Sequence, residues 1–165
     1  QSAYHNLPTV NGVMQKNGRE YRAADLSYQA TKDTVAFSLD ISKAYPEEAR
    51  VKSWKRTITL KRGKQVTVND RYQVDEAIKA LQMNLMSWRK PELESEGIIR
   101  LTNPEGISGL KPVHVRYDKN KFSFNFEAIP VEDKTLQSSW GNRVYRIVLT
   151  ARQTPLKDAF SIRIE

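Results

Sequence analysis

The sequence contains no cysteine and only two histidines, His5 and His114. The lack of cysteine excludes thiol catalysis, disulfides and thiolate metal sites, although it does not fix a cellular compartment. A zinc site takes about four ligands, so one made from the histidines of this chain alone is hard to build.

Long apolar runs are also missing, because no stretch approaches the roughly 18 consecutive apolar residues that cross a bilayer. The first residues contain neither a basic segment nor an apolar one, so they do not resemble a signal peptide. We therefore expect no membrane partner. Since the chain begins with Gln1 rather than Met, we expect a processed chain or a piece of a longer protein.

Phosphate-binding glycine loops of the types GxxxxGK[ST] and GxGxxG do not occur, and neither does the GxSxG nucleophile motif. These absences argue against nucleotide chemistry and against a serine hydrolase. Paired carboxylates for glycoside hydrolysis stay open, because 19 acidic residues offer many pairs.

The length and the composition, with 39% hydrophobic and 9% aromatic residues, predict one folded domain over residues 1–165. The net charge of +8 is concentrated in residues 51–90, which carry ten basic and three acidic residues. Such a segment attracts polyanions such as nucleic acid, anionic lipid or acidic polysaccharide. The alternative is a solvated hairpin that uses lysine for solubility and edge protection.

Alternation of period two predicts half-buried antiparallel strands through most of the chain. It predicts a strand at 35–41, a basic hairpin at 54–68 that turns at 61–64, a second hairpin pairing 113–117 with 122–126, and late strands at 144–149 and 160–164. Short strands punctuated by proline and glycine predict an all-β fold, either an antiparallel two-sheet β-sandwich or a barrel.

Two segments are less regular. In residues 74–88 the spacing of Val74, Ile78, Leu81 and Leu85 fits a helix, whereas alternation at 81–85 fits a strand. The spacing and the helix propensities of the residues in this segment favour the helix. Residues 91–97 (PELESEG) are predicted to form an acidic turn.

Three side chains are candidates for chemistry. His5 precedes a predicted strand, where a sheet edge could hold the imidazole, although a lone histidine is more often structural. His114 alternates with two valines and is expected to face away from the core. Arg56 shares the parity of Trp54 on an otherwise apolar face, so it must line a cleft or pair with a carboxylate such as Asp40 or Asp70.

Several motifs spread over nearly the whole chain are similar to one family. They lie at 3–13 (AYHNLPTVNGV), 39–41 (LDI), 44–46 (AYP), 54–57 (WKRT), 140–141 (WG) and 144–147 (VYRI). Together they resemble the C-terminal β-sandwich of heparinase II/III-like polysaccharide lyases, bacterial enzymes in which an α/α-toroid precedes antiparallel sheets. The resemblance implies a strand at residues 78–87, and we expect a strand there.

The resemblance also implies a function: β-elimination of a uronic-acid-containing, heparin- or heparan-like glycan, in the periplasm or outside the cell. The toroid of the same chain supplies most of the catalytic groups, so no catalytic residue is assigned here and the chain alone is expected to be inactive. His5 matches the last ligand of a His/Asp/His zinc site, so the whole enzyme is expected to bind zinc and this chain not to bind it tightly. Trp54, Lys55 and Arg56 are the predicted substrate-binding residues.

Two other functions remain as alternatives. The chain could be an autonomous carbohydrate-binding or adhesion module, which would use exposed aromatic residues such as Trp54 or Trp140. A nucleic-acid-binding β domain is suggested only by charge, and the sequence has no RNA-recognition signature. We therefore expect an acidic polysaccharide as partner and no nucleic acid.

Overall fold

The computed structural model describes residues 2–103 and 107–165. In these residues the strands form two antiparallel sheets, which confirms the predicted β-sandwich. The single domain predicted over 1–165 includes Gln1 and residues 104–106, which lie outside the described residues. None of the helices described is long and apolar enough to cross a membrane.

The larger sheet has eight strands within the described ranges. In spatial order they are β2 (Ala24–Ala30), β3 (Thr34–Asp40), β4 (Val51–Lys61), β5 (Gln65–Val74), β12 (Lys157–Ile164), β9 (Val113–Arg116), β8 (Ile98–Thr102) and β7 (Lys90–Ser95).

The smaller sheet packs over part of the larger one and has four strands in the same described part of the chain. Their order is β1 (Pro8–Val10), β6 (Leu81–Ser87), β11 (Arg143–Ala151) and β10 (Phe122–Pro130). One α-helix, α1 (Lys134–Trp140), connects β10 to β11, and 3-10 turns lie at Ser2–Tyr4, Ser42–Ala44 and Glu47–Ala49.

The basic hairpin is confirmed as β4 and β5, with Ile58 opposite Val68. Gly63 supplies the positive φ of 67° that the turn between the strands requires. The strands predicted at 35–41, 144–149 and 160–164 are confirmed as β3, β11 and β12.

The predicted second hairpin is wrong. β9 pairs with β8 and β12 in the larger sheet, whereas β10 pairs with β11 in the smaller one. The turn after β9 carries the chain across the sandwich, and Phe122 then packs edge-on against Phe160 with 4.9 Å between ring centroids. Alternation shows which side chains face the core, but not to which sheet a strand belongs.

The strand expected within residues 78–87 is confirmed as β6, and the helix favoured by local spacing is not formed. Leu81, Met83 and Leu85 all face the core, and Asn84 between them is buried as well. A strand covered in this way carries apolar residues at positions that also fit a helical repeat. The packing of the two sheets decides the conformation here.

The acidic turn predicted at residues 91–97 is also wrong for most of its length. Residues 90–95 form β7, and only the turn around Gly97 leads into β8. β7 is an edge strand, where a proline such as Pro91 is tolerated because its missing N–H can face away from the ladder.

The core lies between the smaller sheet and the part of the larger sheet that it covers, where Trp54 and Ile99 are fully buried. The apolar face of the larger sheet continues beyond this covered area. Towards the turn between β4 and β5, Ile58 and Leu60 are each 37% exposed, and Tyr28 on β2 is 66% exposed. This inner face is therefore apolar but only partly covered.

Candidate functional site

His5 lies in a tight turn ahead of β1, at the edge of the smaller sheet. Its backbone N–H donates to the Ser2 carbonyl at 3.1 Å, and its own carbonyl accepts from the Leu7 N–H at 2.8 Å. The residue is exposed. The turn thus presents the imidazole on a backbone fixed at both ends.

A cavity of about 450 Å³ opens beside this turn. It lies between the turn, the ends of β6 and β11, and α1, and its lining is mainly apolar. The lining residues are Tyr4, His5, Asn6, Met86, Ser87, Val131, Leu136, Trp140 and Val144. We call it the His5 cavity.

Two aromatic side chains at the His5 cavity reach the surface. Trp140 is 51% exposed and Tyr4 is 48% exposed. The Arg146 guanidinium lies over the Tyr4 ring, 5.5 Å from its centroid, and it also pairs with Glu127 at 2.7 Å. Rings flanked by a cation can contact a saccharide or another protein surface.

The α1 wall of the cavity was not predicted from the sequence. Asp133 caps this seven-residue helix by accepting hydrogen bonds from the N–H groups of Thr135 and Leu136. The bond from Leu136 and then that from Thr135 lower the pKa of the Asp133 carboxyl. The cap is the sequence signal that could have revealed the helix.

Arg56, one of the predicted site residues, is buried and paired with Asp70. Its Nε donates to Asp70 Oδ1 at 2.8 Å and its Nη2 donates to Oδ2 at 2.9 Å. The Trp54 indole N–H donates to the same carboxylate at 2.8 Å. Of the two carboxylates offered as partners for Arg56, Asp70 is therefore the one that pairs with it, and Asp40 instead accepts from the backbone N–H groups of Ser42 and Trp54.

The buried pair also supports the turn that carries His5. Arg56 Nη1 donates to the Asn6 carbonyl at 2.6 Å, and Asn6 Oδ1 accepts from the Met86 N–H at 2.7 Å. Asn6 is thereby held by β4 on one side and by β6 on the other. Arg56 thus acts as a positioning residue for the segment next to His5.

The segment after His5 is fixed by two further side chains. Asn84 Nδ2 donates to the Leu7 carbonyl at 2.9 Å and to Thr9 Oγ1 at 3.0 Å. The Tyr45 hydroxyl donates to the Pro8 carbonyl at 2.6 Å, and burial raises the pKa of this hydroxyl. Buried hydrogen bonds in a dry environment rigidify what they hold, so the His5 turn has a defined geometry.

The predicted substrate-binding residues do not lie together. Trp54 is fully buried and Arg56 is 5% exposed, so neither offers a side-chain surface to a glycan in this chain. Lys55 points to the opposite, exposed face of the larger sheet. The substrate-binding role of the three residues stays a prediction, and Lys55 alone among them presents an exposed side chain. His114, expected on the surface, lies with its Nε2 3.5 Å from Glu94 Oε2.

Zinc does not fit the residues described. In residues 2–103 and 107–165, no three His, Asp or Glu side chains come together in a way that could hold a metal ion. His5 alone supplies one imidazole, whereas a zinc site takes about four ligands. The zinc ligation predicted for His5 stays a prediction about a longer polypeptide.

No family model and no curated protein sequence matches this chain. Solved structures do match. The crystal structure of heparan sulfate lyase HepC from Pedobacter heparinus matches 99% of this chain with a TM-score of 0.69 and 12% identity. A mutant of the same lyase matches with a TM-score of 0.68 and 12% identity.

This chain spans 24% of the lyase chain that it matches. At 12% identity the likeness shows the fold, and over the whole chain that fold is shared with part of a heparan sulfate lyase. The resemblance seen in the sequence motifs is therefore confirmed at the level of the fold.

Proposed function

We propose that this chain is the C-terminal β-sandwich domain of a polysaccharide lyase that cleaves uronic-acid-containing, heparin- or heparan-like glycans by β-elimination. The observation that carries the proposal is the match of 99% of the chain to a quarter of a heparan sulfate lyase. The motifs around His5, Trp54 and Tyr145 support it. The proposal includes a bacterial origin and a periplasmic or extracellular location, where such glycans are degraded.

Within such an enzyme, this domain would support the catalytic α/α-toroid of the same polypeptide. The partly covered apolar face around Tyr28, Ile58 and Leu60 supports this role, because an exposed apolar sheet face favours packing against another domain. A partner domain is also consistent with the length of the matched lyase, which is about four times that of this chain.

The reaction needs more groups than this chain offers. In β-elimination the uronate carboxylate is neutralised, the proton on the adjacent carbon is removed by a base, and the leaving glycosidic oxygen is protonated. His5 is the one imidazole at the His5 cavity, and we propose that it contributes to the edge of the substrate cleft. The chain by itself should be inactive.

The test compares the 165-residue chain with the full reading frame that encodes it. Each is incubated with heparan sulfate, and the unsaturated uronate product is followed by its ultraviolet absorbance. We expect product from the full protein and none from the 165-residue chain. Cleavage by the short chain, or no cleavage of any acidic glycan by the full protein, would contradict the proposal.

A second candidate function is an autonomous carbohydrate-binding module. The observation in its favour is the exposed pair of rings, Tyr4 and Trp140, at the His5 cavity. In that case the 165-residue chain would bind neutral and acidic glycans on an array, and Trp140→Ala would abolish binding. Leu156→Ala, at a residue that is also 51% exposed but lies away from the cavity, is the matched control.

A further inference from the structure

The outer face of β4, β5 and β12 is strongly cationic. It consists of the side chains that alternate with the buried ones: Ser53, Lys55, Thr57, Thr59, Lys61, Gln65, Thr67, Asn69, Arg71, Gln73, Lys157, Ala159, Ser161 and Arg163. This set contains five cations and no carboxylate. The two acidic residues of these strands, Asp70 and Asp158, alternate with it and pair with Arg56 and Lys121.

Edge protection does not explain Lys55 and Arg71. Their strands, β4 and β5, pair with neighbouring strands on both sides at these residues, so they offer no free edge for a cation to block. β12 meets β9 only at Arg163 and Ile164, so Lys157 lies beyond that pairing.

Two of the cations face each other directly. Lys55 on β4 is the cross-strand partner of Arg71 on β5, and Arg71 is the partner of Ala159, two residues from Lys157. Directly opposed residues have Cβ atoms about 5 Å apart, and like charges in that position destabilise a sheet. On its other side Lys55 is the cross-strand partner of Asp40 on β3, which offsets part of this repulsion, whereas Arg71 faces no carboxylate on either neighbouring strand.

The three cations are free to bind a ligand. Among the described residues, none of the salt bridges involves Lys55, Arg71 or Lys157. All three are exposed. The nearby carboxylate of Asp40 is buried, and it already accepts the N–H groups of Ser42 and Trp54.

A shallow depression of about 400 Å³ lies between these side chains. Ser53 and Gln73 add a hydroxyl and an amide to its lining, beside Lys55, Arg71 and Lys157. Asp158 also borders the depression, and its carboxylate pairs with Lys121. Cations with neutral hydrogen-bonding groups between them can hold a carboxylate or sulfate together with the hydroxyls of a sugar.

We propose that Lys55, Arg71 and Lys157, the outer cationic strip, bind the carboxylate or sulfate groups of an acidic polysaccharide, on the side of the larger sheet opposite the smaller sheet and His5. The strip is a second glycan surface, which holds the chain without cleaving it. An acidic glycan relieves the Lys55–Arg71 repulsion by placing negative charge between them.

The same face is less suited to nucleic acid. The outer side chains of β4, β5 and β12 include no aromatic ring on which bases could stack. Binding of nucleic acid is the competing outcome in the test.

The test uses the 165-residue chain and heparin as the probe, with affinity measured by calorimetry at about 0.01 M ionic strength, where screening is weak. One triple variant carries Lys55→Gln, Arg71→Gln and Lys157→Gln. The matched control carries Lys79→Gln, Lys111→Gln and Lys134→Gln, which remove the same charge from exposed residues elsewhere.

We expect the strip variant to lose about 100-fold in affinity and the control to stay within about threefold, because three exposed ionic contacts are removed only in the first. The strip variant should also unfold within a few degrees of the wild type, because the three side chains are exposed and the lost Lys55–Arg71 repulsion offsets the lost Lys55–Asp40 attraction. Equal losses in the two variants would overturn the proposal, and so would duplex DNA binding as tightly as heparin with the same dependence on the strip. Neither outcome bears on whether the full protein cleaves glycans.

Discussion

The buried Arg56–Asp70 pair makes a sharp prediction about stability. The Asp70 side chain is 0% exposed and that of Arg56 is 6% exposed. In Arg56→Met, Asp70 loses both bonds from Arg56 and keeps the Trp54 indole N–H, while the Asn6 carbonyl loses its donor. An uncompensated buried charge of this kind costs about 3–5 kcal/mol.

For a chain of 165 residues, that loss lowers the unfolding temperature by about 10 °C. Urea unfolding followed by tryptophan fluorescence measures the free energy directly. Hydrogen exchange gives a local readout: the Met86 N–H, which donates to Asn6 Oδ1, should exchange faster in Arg56→Met because the turn loses its anchor on β4.

Two further variants test whether the unpaired Asp70 charge causes this loss of stability. Arg71→Met removes an exposed arginine next to Asp70 in sequence, and it should change stability by less than about 0.5 kcal/mol. Adding Asp70→Leu to Arg56→Met removes the unpaired buried carboxylate, so it should restore at least about 2 kcal/mol of the free energy of unfolding. The reasoning is refuted if Arg56→Met costs less than about 1 kcal/mol, or if the double variant is no more stable than the single one.

Two further predictions concern a turn and a carboxylate. Gly97→Ala should lower the free energy of unfolding, measured in urea, by at least about 2 kcal/mol, because φ is 85° and the added methyl would lie 2.9 Å from the Tyr117 carbonyl oxygen. Gly63→Ala is the control, at φ 67° with nothing within 4 Å of the added methyl, and it should cost only about 1 kcal/mol. Equal costs in the two variants would contradict the steric explanation. Burial opposes ionisation of Asp40, but the bonds from Ser42 and Trp54 outweigh it and hold the pKa below its usual 3.8. The ionised carboxylate therefore stabilises the fold above pH 3.8, so Asp40→Asn should be less stable than wild type by about 1 kcal/mol at pH 7. The difference should shrink as the pH falls below 3.8 and the folded Asp40 takes up its proton; a difference independent of pH would refute this.

Period-two alternation was sufficient to predict most strands of this fold. It is a local property, so it located β3, β4, β5, β11 and β12 correctly. It could not assign β9 and β10 to different sheets, because that depends on where Phe122 packs across the sandwich. The helix α1 was missed because it is only seven residues long and has no buried face.

Individual residues of the candidate site could be predicted from the sequence, but the hydrogen bonds that join them could not. Parity required that Arg56 either line a cleft or pair with a carboxylate, and the sequence offered both Asp40 and Asp70 without deciding between them. The contact from Arg56 to the Asn6 carbonyl joins residues 50 positions apart, and nothing in the local sequence indicates it. Asn84 could have been suspected, since it is a polar residue within an apolar strand, where burial demands hydrogen-bond partners.

Trp54, Lys55 and Arg56 do not share one face of the sheet, for a reason that also explains the outer cationic strip. Consecutive residues of a strand point to opposite faces, so Trp54 and Arg56 help to build the turn beside His5 while Lys55 joins Arg71 on the far side. The positive charge of the hairpin is therefore divided: the charge of Arg56 is neutralised inside by Asp70, and that of the lysines remains outside. Because the two sets lie on opposite faces of the sheet, we expect outer substitutions to change glycan binding while the His5 turn keeps its geometry.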